Sequence, residues 1–258
     1  MRSVWLQDLS WQEIEHFRNE ETGPILIPVG SVEQHGLHLP VGTDSMVAIK
    51  LAEGAAQGSN AVVTPPLWFG WSPHHLALPG TVSIRAEVLI EVIFDVFVSL
   101  ASHGFIRFIV INGHRMVNVP WLQIAAERAQ RELDVRIGIF DPAYMSKELG
   151  EQLGFGEIGH AEEIETSHML HIMPHLVRME RARDYAPGEV THYHIDPRSK
   201  KDTLCYVPTT AKALGQAAQT SGGTGGSPNR SSSEKGRILH DHLLNRLIEV
   251  IREFQRKD

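Results

Sequence analysis

Ile25-Leu26-Ile27-Pro28-Val29 runs directly into Gly30-Ser31-Val32-Glu33-Gln34-His35-Gly36-Leu37-His38-Leu39-Pro40-Val41-Gly42-Thr43-Asp44. Five consecutive apolar residues closed by a glycine read as a buried strand of a parallel sheet covered by helices. Open α/β sheets place their sites beyond the carboxyl ends of the strands. There the loop gathers Glu33, His35, His38 and Asp44, the oxygen and imidazole donors that zinc, manganese or iron prefer. In extended backbone the i, i+2 pair Glu33 and His35 leaves the chain on one side and can share one metal centre. Asp44 directly precedes Ser45–Ala52, a helix start, so it reads either as a ligand or as a helix cap.

Outward from this segment, apolar runs and helical periods alternate. Strands are predicted near 25–29, 61–65, 106–112 and 135–140, and helices near 45–57, 85–102, 119–133, 160–173 and 232–255. This is the βαβ rhythm of a mainly parallel sheet with helices on both faces, a three-layer α/β/α sandwich. In 85–102 the residues Val88, Leu89, Val92, Ile93, Val96, Phe97 and Leu100 form an apolar stripe at i, i+3, i+4 spacing, the mark of a core-facing helix. The chain of 258 residues, 42% hydrophobic and 21% charged, is expected to fold as a single domain over 1–258. Ser221-Gly222-Gly223-Thr224-Gly225-Gly226-Ser227-Pro228 lies within a Gly/Ser-rich segment at about 220–233 that reads as flexible. Either it closes over a site or it is disordered.

A formal charge of -7 and the lack of a basic cluster argue against nucleic acid as a partner. No apolar run approaches a membrane span and the N-terminus lacks a signal-peptide core, which points to a cytoplasmic protein without a membrane partner. The single Cys205 reads as structural. Histidine is abundant, at 15 residues, with clusters at His35/His38, His74/His75, His168/His171/His175 and His192/His194. Such an excess suits metal or proton-transfer chemistry.

Three further constellations carry chemistry. Asn112-Gly113-His114-Arg115-Met116-Val117-Asn118 follows the strand Phe105–Ile111. If that strand neighbours the first one, His114 enters the same crevice and becomes a fourth ligand. Gly159-His160-Ala161-Glu162-Glu163-Ile164-Glu165-Thr166-Ser167 opens a helix on which Glu162 and Glu165 share a face and Glu163 lies on another. Carboxylates in a first turn also complement the helix dipole, so a capping role competes. Gly70–Ser83 is a long turn-rich connection of the kind that tends to be functional.

Taken together, Gly30–Asp44, Ser72 with Pro79-Gly80-Thr81 and Ser83, Asn112-Gly113-His114, His160-Ala161 with Glu163-Ile164-Glu165-Thr166-Ser167, and Glu234-Lys235-Gly236 resemble, in family order, the creatininase family of metal-dependent amidohydrolases. The resemblance implies two divalent ions per chain, Zn2+, Mn2+ or Fe2+. Asp44 would bridge them, with Glu33 and His114 on one and His35 on the other. Such a pair polarises a carbonyl and generates hydroxide from bound water. The family's further carboxylate two residues after the Asn-Gly-His histidine is Met116 here. Glu165 is the best replacement ligand, and Glu163 is a weaker one.

His160 matches the family's proton-transferring histidine and is placed with Glu163 as the candidate catalytic pair. Ser72, His75 and Arg115 are candidate substrate contacts, the last as a cation suited to carboxylate, phosphate or several hydroxyls. The turn at 112–118 is one residue longer than the family's, and 141–158 lacks the tryptophans of a creatinine lid, so the resemblance does not carry creatinine recognition with it. The implied activity is opening of a cyclic amide or removal of an N-acyl or formyl group from a small molecule. Hydrolysis of a cyclic ketone such as an inosose derivative, or a non-catalytic metal-binding or assembly role, are the alternatives. The resemblance also implies a homo-oligomer, with a hexamer favoured.

Overall fold

Every residue of the first strand is buried, which is possible only where helices cover both faces of a sheet. In the computed structural model, which describes residues 3–21, 23–186 and 210–256, the strands are β1 (Ile25–Val29), β2 (Val62–Val63), β3 (Arg107–Asn112) and β4 (Arg136–Phe140). The helices are α1 (Trp11–His16), α2 (Thr43–Gln57), α3 (Ala86–Ser102), α4 (Val119–Leu133), α5 (Pro142–Met145), α6 (Lys147–Gln152), α7 (Glu163–Ile172), α8 (Ala211–Ser221) and α9 (Ser233–Gln255). The sheet order is β2-β1-β3-β4 and all pairings are parallel.

Side chains alternate across the sheet. Leu26, Val63, Ile109, Ile111 and Phe140 pack with residues of α2, α7 and α9 on one face. Ile25, Ile27, Val29, Phe108 and Val110 pack with α3 and α4 on the other. These two cores are the expected three-layer sandwich. The α3 stripe is narrower than its periodicity suggests, with Leu89, Ile93, Phe94 and Phe97 buried while Val92 is exposed.

The register of β1 and β3 positions the site. Val29 pairs with Asn112, so the Gly30–Asp44 loop and the Gly113–Asn118 loop leave the sheet side by side. Gly113 is required there, because a Cβ would collide with the Asp44 carbonyl oxygen. In the layer that also holds α2, helices α7 and α9 touch so closely that a Cβ on Gly236 would run into the carbonyl oxygen of Ser167.

Between those two helices His168 Nε2 and His240 Nδ1 are hydrogen-bonded at 2.8 Å, with His171, Asp241, Lys50, Arg115 and Glu165 as the surrounding charged or titratable groups. Burial, reinforced by neighbouring histidines, holds His168 well below the usual imidazole range and His240 down at about 4. Below roughly pH 6.5 the unfolded chain therefore takes up protons that the folded chain refuses, and stability is lost as pH falls from there toward about 4. Acidification from pH 7 to 5 is expected to cost roughly 2–4 kcal/mol through this pair. Urea unfolding at the two pH values checks it, and a His168→Met/His240→Met variant with the same pH difference as wild type would count against it.

Three features escaped the periodicity. The helix expected from 160 begins at Glu163, because Ala161 adopts left-handed backbone, φ 50°. The second strand is only two residues long. Ala211–Ser221 is helical, capped by Thr210 accepting from the Ala213 N–H, and includes the first residues of the Gly/Ser-rich segment. That segment then runs past His160, exchanging backbone hydrogen bonds between His160 and Gly225 at 2.7 and 3.1 Å. Among the described residues no helix is long and apolar enough to cross a membrane. Cys205 and the His192/His194 pair lie outside the described residues.

Candidate metal centre

Asp44 sits in the first turn of α2, 2% exposed, and its side chain does not cap that helix. Instead its two oxygens face two imidazoles from different loops: Oδ1 lies 3.2 Å from His35 Nε2, and Oδ2 lies 3.0 Å from His114 Nδ1. Glu33 Oε2 is 3.2 Å from His114 Nε2, and Glu165 Oε2 is 3.6 Å from His35 Nε2. Glu33 and His35 after β1, Asp44 on α2, His114 after β3 and Glu165 on α7 thus converge on one buried point.

Both carboxylate oxygens of Glu33, His35 Nε2 and Asp44 Oδ2 are buried without a hydrogen-bond partner. Orphaned buried polar atoms call for an explanation, and converging lone pairs fit a divalent cation. His35 Nδ1 donates to the Glu33 carbonyl oxygen at 3.2 Å, the outer contact that turns Nε2 inward as a ligand. The charge balance agrees. Burial pushes Glu33 up to about 7. It also opposes a charge on His114, yet Glu33 and Asp44 outweigh it and lift that imidazole to about 9. For Asp44, His35 and His114 outweigh burial and bring the carboxyl down to about 2.

Four sets of three side chains bring ligand atoms within 4.8 Å of one another: Glu33/His35/Asp44, His35/His160/Glu165, Glu33/His74/His114 and Glu33/His75/His160. His160 adjoins the centre, its ring centroid 4.5 Å from that of His35. Its Nε2 donates to the Gln34 carbonyl oxygen at 2.6 Å, leaving Nδ1 bare and inward. Burial and the neighbouring His35 depress it to about 3. His75 stacks on His160 at 3.9 Å. Ser72 Oγ lies 3.2 Å from His114 Nε2 and 2.6 Å from Ser31 Oγ.

Three sequence-selected residues are committed elsewhere. Glu163, read as half of the catalytic pair, points away from the centre, where its carboxylate is 2.5 Å from Lys235 Nζ and accepts from the Gly156 N–H. It stands one residue after Glu162 and two before Glu165, which face inward, so the turn of the chain carries it to another side. Arg115, read as a cation for substrate, instead bridges Glu162 at 2.8 Å and Glu165 at 2.6 Å. His38 bonds Thr166 at 2.8 Å and joins none of the four sets.

Other contributors were not read from the sequence. Asp141 accepts from the Asn112 side chain at 2.8 Å and the Met116 N–H at 2.7 Å, fixing the loop that bears His114. Met116 itself takes left-handed backbone, φ 62°. An aspartate between a strand and Pro142 was the only signal. Glu162 caps α7 by accepting from the Glu165 N–H, so capping and site roles coincide in one side chain. His74 was noted only as half of a pair.

A buried carboxylate and imidazole centre at the carboxyl ends of a parallel sheet defines an α/β protein with candidate metal-binding groups. The creatininase profile, described as creatinine amidohydrolase, matches residues 7–251, and the chain belongs to this family of hydrolases. It is 32% identical over 203 residues to the 3-dehydro-scyllo-inosose hydrolase of Thermotoga maritima, a match covering 75% of this chain and 64% of that enzyme, just under two thirds of its length. It is 26% identical over 270 residues to the creatinine amidohydrolase of Pseudomonas putida, covering 98% and 97% of the two chains. The solved structure of a mutant creatininase of Zn-Zn type superposes with a TM-score of 0.81 at 25% identity, covering 99% of this chain and all of that one.

Proposed function

We propose that this protein is a metal-dependent hydrolase that opens a cyclic amide or removes an N-acyl or formyl group. The observation that carries this reading is the convergence of orphaned Glu33, His35 and Asp44 atoms beside the bare Nδ1 of His160. Glu33 and His114 would hold one divalent ion and His35 and Glu165 a second, with Asp44 between them. Bound there, two ions supply Lewis-acid polarisation of a carbonyl and acidify water. His160 takes onto its bare Nδ1 the proton released by the attacking water and passes it to the leaving nitrogen, while its Nε2–H stays anchored on the Gln34 carbonyl oxygen. Ser72 touches His114, and His75 stacks on His160.

A second reading, hydrolytic carbon–carbon cleavage in a cyclic ketone, is favoured by the 32% identity to the inosose hydrolase. It would use the same polarised carbonyl. Elemental analysis for about two ions per chain, with a turnover screen against cyclic ureides, lactams, formamides and inososes, tests both readings. Protein that folds and binds no metal would sink them. His160→Ala is expected to retain its metal and lose about 10²–10⁴-fold in turnover on whichever substrate responds. Unchanged turnover would remove His160 from the reaction.

A further inference from the structure

One of the four ligand sets differs from the others in its protons. The Gly36 N–H donates to Gln34 Oε1 at 3.1 Å, which fixes the orientation of that side-chain amide. Gln34 Nε2 therefore faces His75 Nδ1, at 2.9 Å, and an amide NH2 can only donate. A neutral His75 that accepts on Nδ1 carries its proton on Nε2, 3.4 Å from Glu33 Oε1. A protonated ring nitrogen has no lone pair for a cation.

His160 is arranged the opposite way round, again through Gln34. Its Nε2–H is spent on the Gln34 carbonyl oxygen, and its bare Nδ1 lies 3.6 Å from the same Glu33 Oε1. The Gln34 backbone is itself held, because its N–H donates to Thr81 Oγ1 at 3.0 Å and that hydroxyl donates to the His75 carbonyl oxygen at 3.0 Å. The point between Glu33 Oε1, His75 Nε2 and His160 Nδ1 is thus lined by two acceptors and one donor. Its complement donates two hydrogen bonds and accepts one.

We propose that Gln34 is a positioning residue that bars a cation from the Glu33–His75–His160 subsite and reserves it for a neutral group such as water or an amine nitrogen. The inference rests on the metal-centre reading, and it adds a rule for which of the clustered ligand sets takes an ion. It also gives His75 a defined task, to donate from Nε2 to whatever His160 Nδ1 and Glu33 accept from.

Gln34→Glu tests it by preserving the acceptor for Gly36 while turning the donor into a second acceptor, which moves the His75 proton to Nδ1 and bares Nε2. Wild type and variant are loaded with excess zinc, desalted, analysed for zinc and located by anomalous diffraction. The variant is expected to hold one more zinc per chain than wild type, at this subsite, and His75→Asn in the variant is expected to remove it. Equal zinc content, or a zinc at this subsite in wild type, overturns the proposal. If the variant does not fold, the ¹⁵N spectrum of histidine-labelled wild type decides: a proton on Nε2 of His75 supports the proposal, and one on Nδ1 overturns it. Wild type that binds no zinc anywhere defeats the metal-centre reading, while the spectrum of the metal-free protein still judges the role of Gln34.

Discussion

On the proposed two-metal reading, Asp44→Asn is expected to abolish divalent-metal binding while leaving the fold intact. Among the described residues, Asp44 is the one carboxylate whose two oxygens face both His35, at 3.2 Å, and His114, at 3.0 Å. An asparagine keeps the shape but replaces one acceptor oxygen with an NH2 that cannot ligate. Loss of an outer-shell partner alone weakens metal binding by about 10–100-fold, and a ligand that the proposed reading shares between two ions would exceed that because both would lose it. Metal content after dialysis, measured with circular dichroism on the same sample, reads the result. A folded Asp44→Asn protein with wild-type metal content would show that Asp44 does not join the two half-sites.

Arg115→Met is expected to be the most destabilising single change at the centre. Arg115 is partly buried, its side chain 9% exposed, and is the cation shared by Glu162 and Glu165; its own charge is held firmly, since those two carboxylates outweigh burial. Removing one partner of a buried ion pair costs about 3–5 kcal/mol because an uncompensated charge remains, and here two like charges are left together. That is a large share of a total stability of about 5–15 kcal/mol. Adding Glu162→Gln should recover part of the loss, since Glu165 keeps the Ala161 N–H at 2.6 Å. Urea unfolding of metal-free wild type, single and double variants measures this. A loss below about 1 kcal/mol for Arg115→Met would mean that the pair is not structurally important.

Arg115 also shows where sequence reading stops. A cation beside a ligand histidine reads naturally as a substrate contact. Its partners, Glu162 and Glu165, are 47 and 50 residues further along the chain, and only the docking of α7 against the loop after β3 brings them within reach. The choice between Glu163 and Glu165 turns on helix phase in the same way. Spacing alone places Glu162 and Glu165 on one face, but which face meets the centre depends on where α7 begins. Left-handed backbone at Ala161 delays that start to Glu163.

Local chemistry was legible from the start. The buried run Ile25–Val29, the i, i+2 pair Glu33 and His35, and the donor types through Asp44 specify a strand, a site at its end and a preference for divalent metal. Each follows from residues adjacent in the chain, whose spacing and polarity the backbone translates directly into one face or one turn. The parallel order β2-β1-β3-β4 was implied only as a class. Its register decides which loops become neighbours, and hence that His114 meets Asp44, that Gln34 reaches His75 across 41 residues, and that His160 returns to Gln34 across 126. Proton positions on the histidines and the commitment of Arg115 are properties of those long-range contacts. They belong to the tertiary structure because hydrogen bonds and ion pairs are fixed by distances of a few ångströms, which separation along the sequence does not encode.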